Sequence, residues 1–115
     1  MHEIGIANSI LEAGEAEAAR YPGSRLKRVG VRIGVLAGVD LEALEFALAV
    51  LRKGAGREQV EIELKSCPRR NRCMSCCHEF ETALYSEPCP RCAEPRSEIV
   101  GGQELELSFV ELEDQ

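Results

Sequence analysis

The chain has 115 residues, 44% of them hydrophobic, and a formal charge of −6. That length suits one compact unit, or one domain carrying a small insert. The acidic balance repels phosphate backbones, and the lack of Trp removes the usual base-stacking platform, so no nucleic-acid partner is expected.

Residues 3–20 read as a first helix. Ile4, Ala7, Leu11, Gly14 and Ala18 fall on one face, with Ile10 beside them. Tyr21-Pro22-Gly23-Ser24 stops it. Glu3, Asn8 and Glu12 interrupt the start where a signal peptide needs an unbroken apolar stretch. No apolar run reaches the roughly 18–20 residues of a membrane span. The expectation is a cytoplasmic protein with no membrane partner, in a compartment that keeps thiols reduced.

Residues 26–36 read as a strand, with Val29, Val31, Ile33 and Val35 alternating with Arg28, Gly30, Arg32 and Gly34. Asp40 can cap a second helix, with Glu42 favourably placed in its first turn. Leu41, Leu44, Leu48 and Leu51 form its apolar stripe, and Arg52-Lys53-Gly54 ends it. Residues 59–65 read as a second strand with Val60, Ile62 and Leu64 on one face. A cysteine-bearing segment runs from about Cys67 to Val100. Residues 104–112 then alternate again through Leu105, Leu107 and Phe109.

A strand on each side of the cysteine segment points to an insert between two strands of one sheet. The predicted fold is α+β: two helices packed on one face of a three-stranded sheet, with an inserted four-cysteine zinc-ribbon knuckle projecting outward. The predicted domains are 1–66 plus 102–115, and 67–101.

The insert carries Cys73-x-x-Cys76 and Cys89-x-x-Cys92. Each CxxC turn aims two sulfurs at one centre, and two turns complete a tetrahedron, the geometry that Zn²⁺ favours with thiolates. With all four positions filled by protein, none stays open for substrate, so the site reads as structural Zn(II). A redox disulfide pair is the weaker alternative. Cys67 and Cys77 are surplus and read as a small buried side chain or a free thiol, although Cys77 could replace Cys76 as a ligand through the less usual Cys73-x-x-x-Cys77 turn. His78 stands beside the knuckle and reads as a flanking group rather than a ligand. Arg69, Arg70 and Arg72 read as a solvated entry to it.

Met1-His2-Glu3 is the other unusual feature. The Met1 amine and the His2 imidazole can chelate one ion, and the amides of His2 and Glu3 can join if deprotonated, as can the Glu3 carboxylate. Nitrogen-rich planar sets of this kind suit Ni²⁺ or Cu²⁺. The first amides of a helix have no intrahelical acceptor, so their use as ligands breaks no helical hydrogen bond. The positive end of the helix dipole opposes a cation there. A frayed terminus with no metal role is the competing reading. Phosphate-loop, zinc-protease and nucleophile-elbow signatures are missing, and His2 and His78 are the only histidines, so no enzyme is expected.

Met1-His2-Glu3, the two CxxC knuckles and their order together resemble the HypA/HybF family of hydrogenase nickel-incorporation accessory proteins. The likeness extends through Arg32-Ile33-Gly34-Val35-Leu36, Leu41-Glu42-Ala43-Leu44 and the stretch from Cys76 to Phe80. It covers essentially the whole chain. Cys77, where a glycine is common, and the additional Cys67 depart from the pattern.

The resemblance implies a nickel metallochaperone for maturation of nickel–iron hydrogenase, and in some members of urease. It implies Ni(II) as cargo on His2, with Glu3 and Met1 close by, and Zn(II) on Cys73, Cys76, Cys89 and Cys92. A nickel-handling GTPase and the hydrogenase large-subunit precursor are the implied partners. The chain itself is expected as a monomer or weak homodimer. A zinc-ribbon docking module of a transcription or translation complex is the alternative, but it gives no reason for His2 at the chain start.

Overall fold

The computed structural model describes residues 2–54, 56–83 and 87–115. The first helix, α1, spans Glu3–Ala19 and is rich in Ala and Glu, which lose little freedom on becoming helical. His2 is its N-cap: the His2 carbonyl accepts the N–H groups of Gly5 and Ile6. The buried face is Ala7, Ile10, Leu11 and Gly14, which centres it nearer Ile10 than the sequence suggests. Successive residues turn by about 100°, so that rotation leaves Ile4 at the margin, 57% exposed. Ala18, also expected in the stripe, is only half-buried.

Strand β1 (Ser24–Gly34) follows and buries Val29, Val31 and Ile33 beneath the helices. It stops one residue before Val35, which is exposed rather than part of the alternating face. The second helix, α2 (Leu41–Leu51), is capped by Asp40, whose Oδ1 accepts the Ala43 N–H at 3.2 Å. Leu44 and Leu48 are buried, with Leu41 and Leu51 packed at the margin of the same core. Strand β2 (Glu61–Cys67) then pairs parallel to β1. A parallel pair needs a crossover, and α2 is that crossover.

After the cysteine segment, β6 (Leu105–Asp114) returns antiparallel to the other side of β1, giving the sheet order β2-β1-β6. The expected alternation of Leu105, Leu107 and Phe109 breaks here. Val31 pairs with Leu107 but Gly30 pairs with Phe109, so Ser108 is an extra residue and the strand bulges. Phe109 therefore crosses to the helix-free face. It lies over Gly30, where a Cβ would sit 2.0 Å from the ring. The Arg28 guanidinium stands 5.4 Å from the ring centroid. The rest of that face is a charge ladder: Arg28 pairs with Glu63 and Glu111, and Arg32 with Glu104 and Glu106.

The cysteine segment is itself a small sheet, which the sequence reading did not foresee. Its strands are β3 (Arg70–Cys73), β4 (Glu79–Glu81) and β5 (Ser97–Gly101), in the order β4-β3-β5. Arg70 and Arg72, expected as a solvated entry, are strand residues paired with Glu79 and Glu98. Asn71 between them is buried, donating to Ser97 Oγ at 2.8 Å and accepting from Arg69 Nε at 3.1 Å.

The two sheets have separate cores. They are joined where Cys67 leads out and Gly102 leads back. Gly102 has φ of +107°, and a Cβ there would lie 2.8 Å from the Arg69 Cα. The radius of gyration is 18.0 Å, against about 13 Å for a single compact body of this length, so the molecule is elongated. No helix among the described residues is long and apolar enough to cross a membrane.

Leu44 and Leu48 are 0% and 2% exposed, and Phe46 on the opposite face of α2 is 72% exposed. Leu44→Asp or Leu48→Asp should cost on the order of 4 kcal/mol or unfold the larger layer. Phe46→Asp should shift stability by no more than about 0.5 kcal/mol. Urea unfolding of the zinc-loaded protein, followed by far-ultraviolet circular dichroism, measures both.

Candidate metal centres

The two knuckles are built alike. In the first, the Cys77 N–H closes back on the Cys73 carbonyl at 3.1 Å; in the second, the Ala93 N–H closes on the Cys89 carbonyl at 2.9 Å. Cys77 and Ala93, the residues after each CxxC, both have left-handed backbone, with φ of 63° and 64°. Such a turn aims amides at the first sulfur of each pair. Cys73 Sγ accepts from Ser75 and Cys76, and Cys89 Sγ accepts from Arg91. Cys73 and Cys89 are buried beside Phe80, while Cys76 and Cys92 face solvent.

The four sulfurs all lie within 4.8 Å of one another. Cys73 and Cys92 approach to 3.5 Å, and Cys76 and Cys89 to 3.7 Å. A tetrahedron of Zn–S bonds of about 2.3 Å has edges of about 3.8 Å, so the cluster fits a zinc site. Backbone bonds brace both knuckles. Cys73 N–H donates to the His78 carbonyl at 2.8 Å, Met74 N–H to Arg96 at 3.0 Å and Cys89 N–H to Glu94 at 3.0 Å.

Without a cation, four adjacent thiols cannot all ionise. The amides of Cys76 and Ser75 outweigh burial and hold Cys73 down to about 7. The Glu94 amide works to lower Cys92, but the neighbouring thiols and burial outweigh it and push Cys92 up to about 12. Cys76 is also raised: its contact with the His78 amide is outweighed by burial and by the sulfurs of Cys73 and Cys89. A divalent cation relieves this mutual repulsion, at the cost of releasing the remaining thiol protons.

Cys77 and Cys67 stand outside the cluster. Cys77 is exposed, and Cys67 is buried at the end of β2 opposite Gly34. The His78 ring stacks on Phe80 with centroids 6.2 Å apart and is not among the clustered ligands.

At the chain start, Met1 lies outside the described residues. His2 is exposed and makes no side-chain capping bond. Glu3 opens α1, and its Oε2 accepts the Asp40 N–H at 3.1 Å. The beginnings of α1 and α2 are thus fastened together. The Asp40 amide, and next the amide of Glu3 itself, hold the Glu3 carboxyl below its ordinary 4.5. Asp40 was legible in the sequence only as a helix cap. Its place beside Glu3 comes from packing across 37 residues, and no local signal carries it. His2 also shares a groove with Leu105, the first residue of β6 after the joint. The N-terminus of α1 therefore lies at the end of the larger sheet from which the cysteine sheet departs.

Residues 1–112 match the family described as hydrogenase/urease nickel incorporation, metallochaperone, hypA. The hydrogenase maturation factor HypA of Chlorobium luteolum is 33% identical over 115 residues, covering all of this chain and 98% of that protein. The HypA of Geobacter metallireducens is 34% identical over 113 residues, covering 98% of this chain and all of that one. The solution structure of the Ni metallochaperone HypA from Helicobacter pylori superposes with a TM-score of 0.65 at 21% identity, with both chains fully covered. A second HypA solution structure gives a TM-score of 0.72 at 23% identity, covering all of this chain and 98% of the other. These two likenesses establish the shared fold.

Cys77→Gly should keep one zinc per chain and stabilise the cysteine sheet by about 1 kcal/mol, because glycine adopts a left-handed backbone without strain. Cys73→Ser should lose tight zinc; elemental analysis and a chelator-release assay read both variants. Zinc retention should fall with falling pH, since protons compete for the thiolates. Glu3 has a depressed folded-state pKa, so its stabilising contribution is present above the unfolded value and lost as pH falls through the folded one. Glu3→Gln should therefore flatten the acid side of a stability–pH curve below about 4.5, measured by thermal melting.

Proposed function

The chain belongs to the HypA family of nickel metallochaperones for hydrogenase maturation, which are maturation factors rather than enzymes, and from that premise we propose how its residues divide the work. Ni(II) is the cargo and is taken at the chain start. His2 supplies the imidazole, Met1 the terminal amine, and Glu3 a carboxylate donor or a charge that offsets the helix dipole. Zn(II) is structural and is held by Cys73, Cys76, Cys89 and Cys92. Residues 1–66 with 102–115 form the nickel-handling domain, and residues 67–101 form the inserted zinc domain.

The observation that best supports this reading is the setting of His2. It is an exposed N-cap with no side-chain capping bond, next to a carboxylate held ionised by an amide of the neighbouring helix. An exposed donor set suits a carrier, because cargo must leave by ligand exchange with a partner. Opening α1 there costs little, since the first helical amides have no intrahelical acceptor. Asp40, brought beside Glu3, adds a second carboxylate to the same patch and can steer a cation towards His2.

The partners in this reading are a nickel-handling GTPase and the hydrogenase large-subunit precursor, in the cytoplasm. Urease is a second client of the same delivery chemistry. The acidic surface disfavours nucleic acid. The protein acts as a monomer or weak homodimer. A zinc-ribbon docking module accounts for the four cysteines but leaves the His2–Glu3–Asp40 arrangement without a role.

Calorimetric titration of Ni²⁺ into the zinc-loaded wild type, His2→Ala and an N-terminally extended form is the test. Specific nickel binding should vanish in His2→Ala, while zinc content and melting stay unchanged. The extended form should bind more weakly, because its terminal amine is moved away. Equal nickel affinity in wild type and His2→Ala would overturn the proposed site.

A further inference from the structure

α1 packs over both β1 and β6 of the larger sheet. α1 overhangs β6 and leaves a groove of 610 Å³, walled by His2, Gly5, Ser9 and Ala13 of the helix and by Leu105 and Leu107 of the strand. A groove of this size suits a row of side chains. β6 is an edge strand: among the described residues, no strand is bonded to its outer side.

Leu105 and Leu107 are each 39% exposed. Their register opposite Ile33 and Val31 places both on the helix-covered face. The same two residues present the open edge. The Gly34 N–H donates to the Glu104 carbonyl at 2.7 Å, which makes Gly34 and Glu104 a hydrogen-bonded pair. In an antiparallel ladder such pairs alternate with non-bonded ones. The pairs Ile33–Leu105 and Val31–Leu107 are then the non-bonded kind. The N–H and C=O of Leu105 and Leu107 point away from the sheet, into the space beside the groove.

Charge narrows the choice of occupant. Glu104, Glu106, Glu111, Glu113 and Asp114 crowd this strand and its approach. Arg32 answers Glu104 and Glu106 from the β1 side, as Arg28 answers Glu111 and Arg25 answers Glu113, and the edge side is open. A second copy paired through β6 would set one acidic row against another, which is destabilising. We propose that this edge receives an extended segment of a partner protein, with apolar and basic residues alternating, as a fourth strand. Its apolar side chains enter the groove over Leu105 and Leu107, beneath Ser9 and Ala13. Its basic side chains fall on the other face, beside Glu106. His2 lines the groove, so the docked strand ends beside the proposed nickel donors. That consequence rests on the nickel reading, whereas the strand addition does not.

The test uses isotope-labelled, zinc-loaded full chain without nickel. The probe is a capped heptapeptide alternating valine and lysine, and its counterpart alternates valine and glutamate. The lysine peptide should give saturable amide shifts at Leu105, Leu107, Ser9 and Ala13, with slowed exchange of the Leu105 and Leu107 amides. The glutamate peptide should bind at least about tenfold more weakly. Leu107→Thr, which removes groove contact, and Ser9→Tyr, which plugs the groove from the helix, should each weaken the lysine peptide by a similar factor with melting unchanged. Absence of saturable shifts, shifts confined to other surfaces, or equal binding of both peptides would overturn the proposal. So would peptide-free self-association through β6, which would make a second copy the occupant. None of these outcomes bears on nickel binding by His2, which the separate titration decides.

Discussion

The larger layer is registered on β1. It is the one strand of that sheet bonded on both sides, and its Val29, Val31 and Ile33 form the floor on which the helices pack. Parallel pairing with β2 and antiparallel pairing with β6 bring Gly34, Cys67 and Leu105 to the same end of the sheet. The chain can leave after Cys67 and re-enter at Leu105 without disturbing either ladder. A second sheet with its own small core can then project from that end. Because α1 runs back over β1, its N-terminus lies at the same end. The proposed nickel donors thus sit near the root of the zinc-binding sheet rather than at the far end of the molecule.

The acidic composition is managed locally. Arginines lie on β1 and β3, the central strands of the two sheets, and glutamates lie on the strands beside them. Each such surface pair contributes only about 0–1 kcal/mol. Their larger effect is on register, since a slip of one residue would move every arginine to the apolar face. The acidic edge strand also discourages self-pairing. In the cysteine sheet the problem is sharper, because four sulfurs within 4.8 Å carry thiols that resist joint ionisation. With Phe80, Cys73 and Cys89 as its buried cluster, that sheet has little core, and a bound zinc ion would supply cohesion that burial does not.

Much of this was legible in the sequence, for identifiable reasons. The helices and the three long strands follow from periodicities of 3.6 and 2, which are local properties. The four cysteines could be read as one site because a CxxC turn dictates where its sulfurs point. Cys77 stands at a place that suits glycine, because the backbone there is left-handed. The zinc-binding chemistry of the four cysteines was likewise readable from residue type and spacing.

Other features were settled only by tertiary structure. The bulge at Ser108 sends Phe109 to the opposite face, because the ring fits over Gly30, a strand away. The rotation of α1 that exposes Ile4 depends on which side of the helix meets the sheet. The second sheet arises when Arg70–Cys73 finds partners on both sides, and a run of arginines gives no hint of that pairing. The fastening of Glu3 to the Asp40 amide, and the groove left where α1 overhangs β6, join residues far apart in sequence. Sequence by itself determined the two helices, the three long strands and the paired cysteine turns, because these depend on neighbours within one or two turns. Faces, edges and the setting of His2 were decided by packing, because each depends on which distant surface the chain meets.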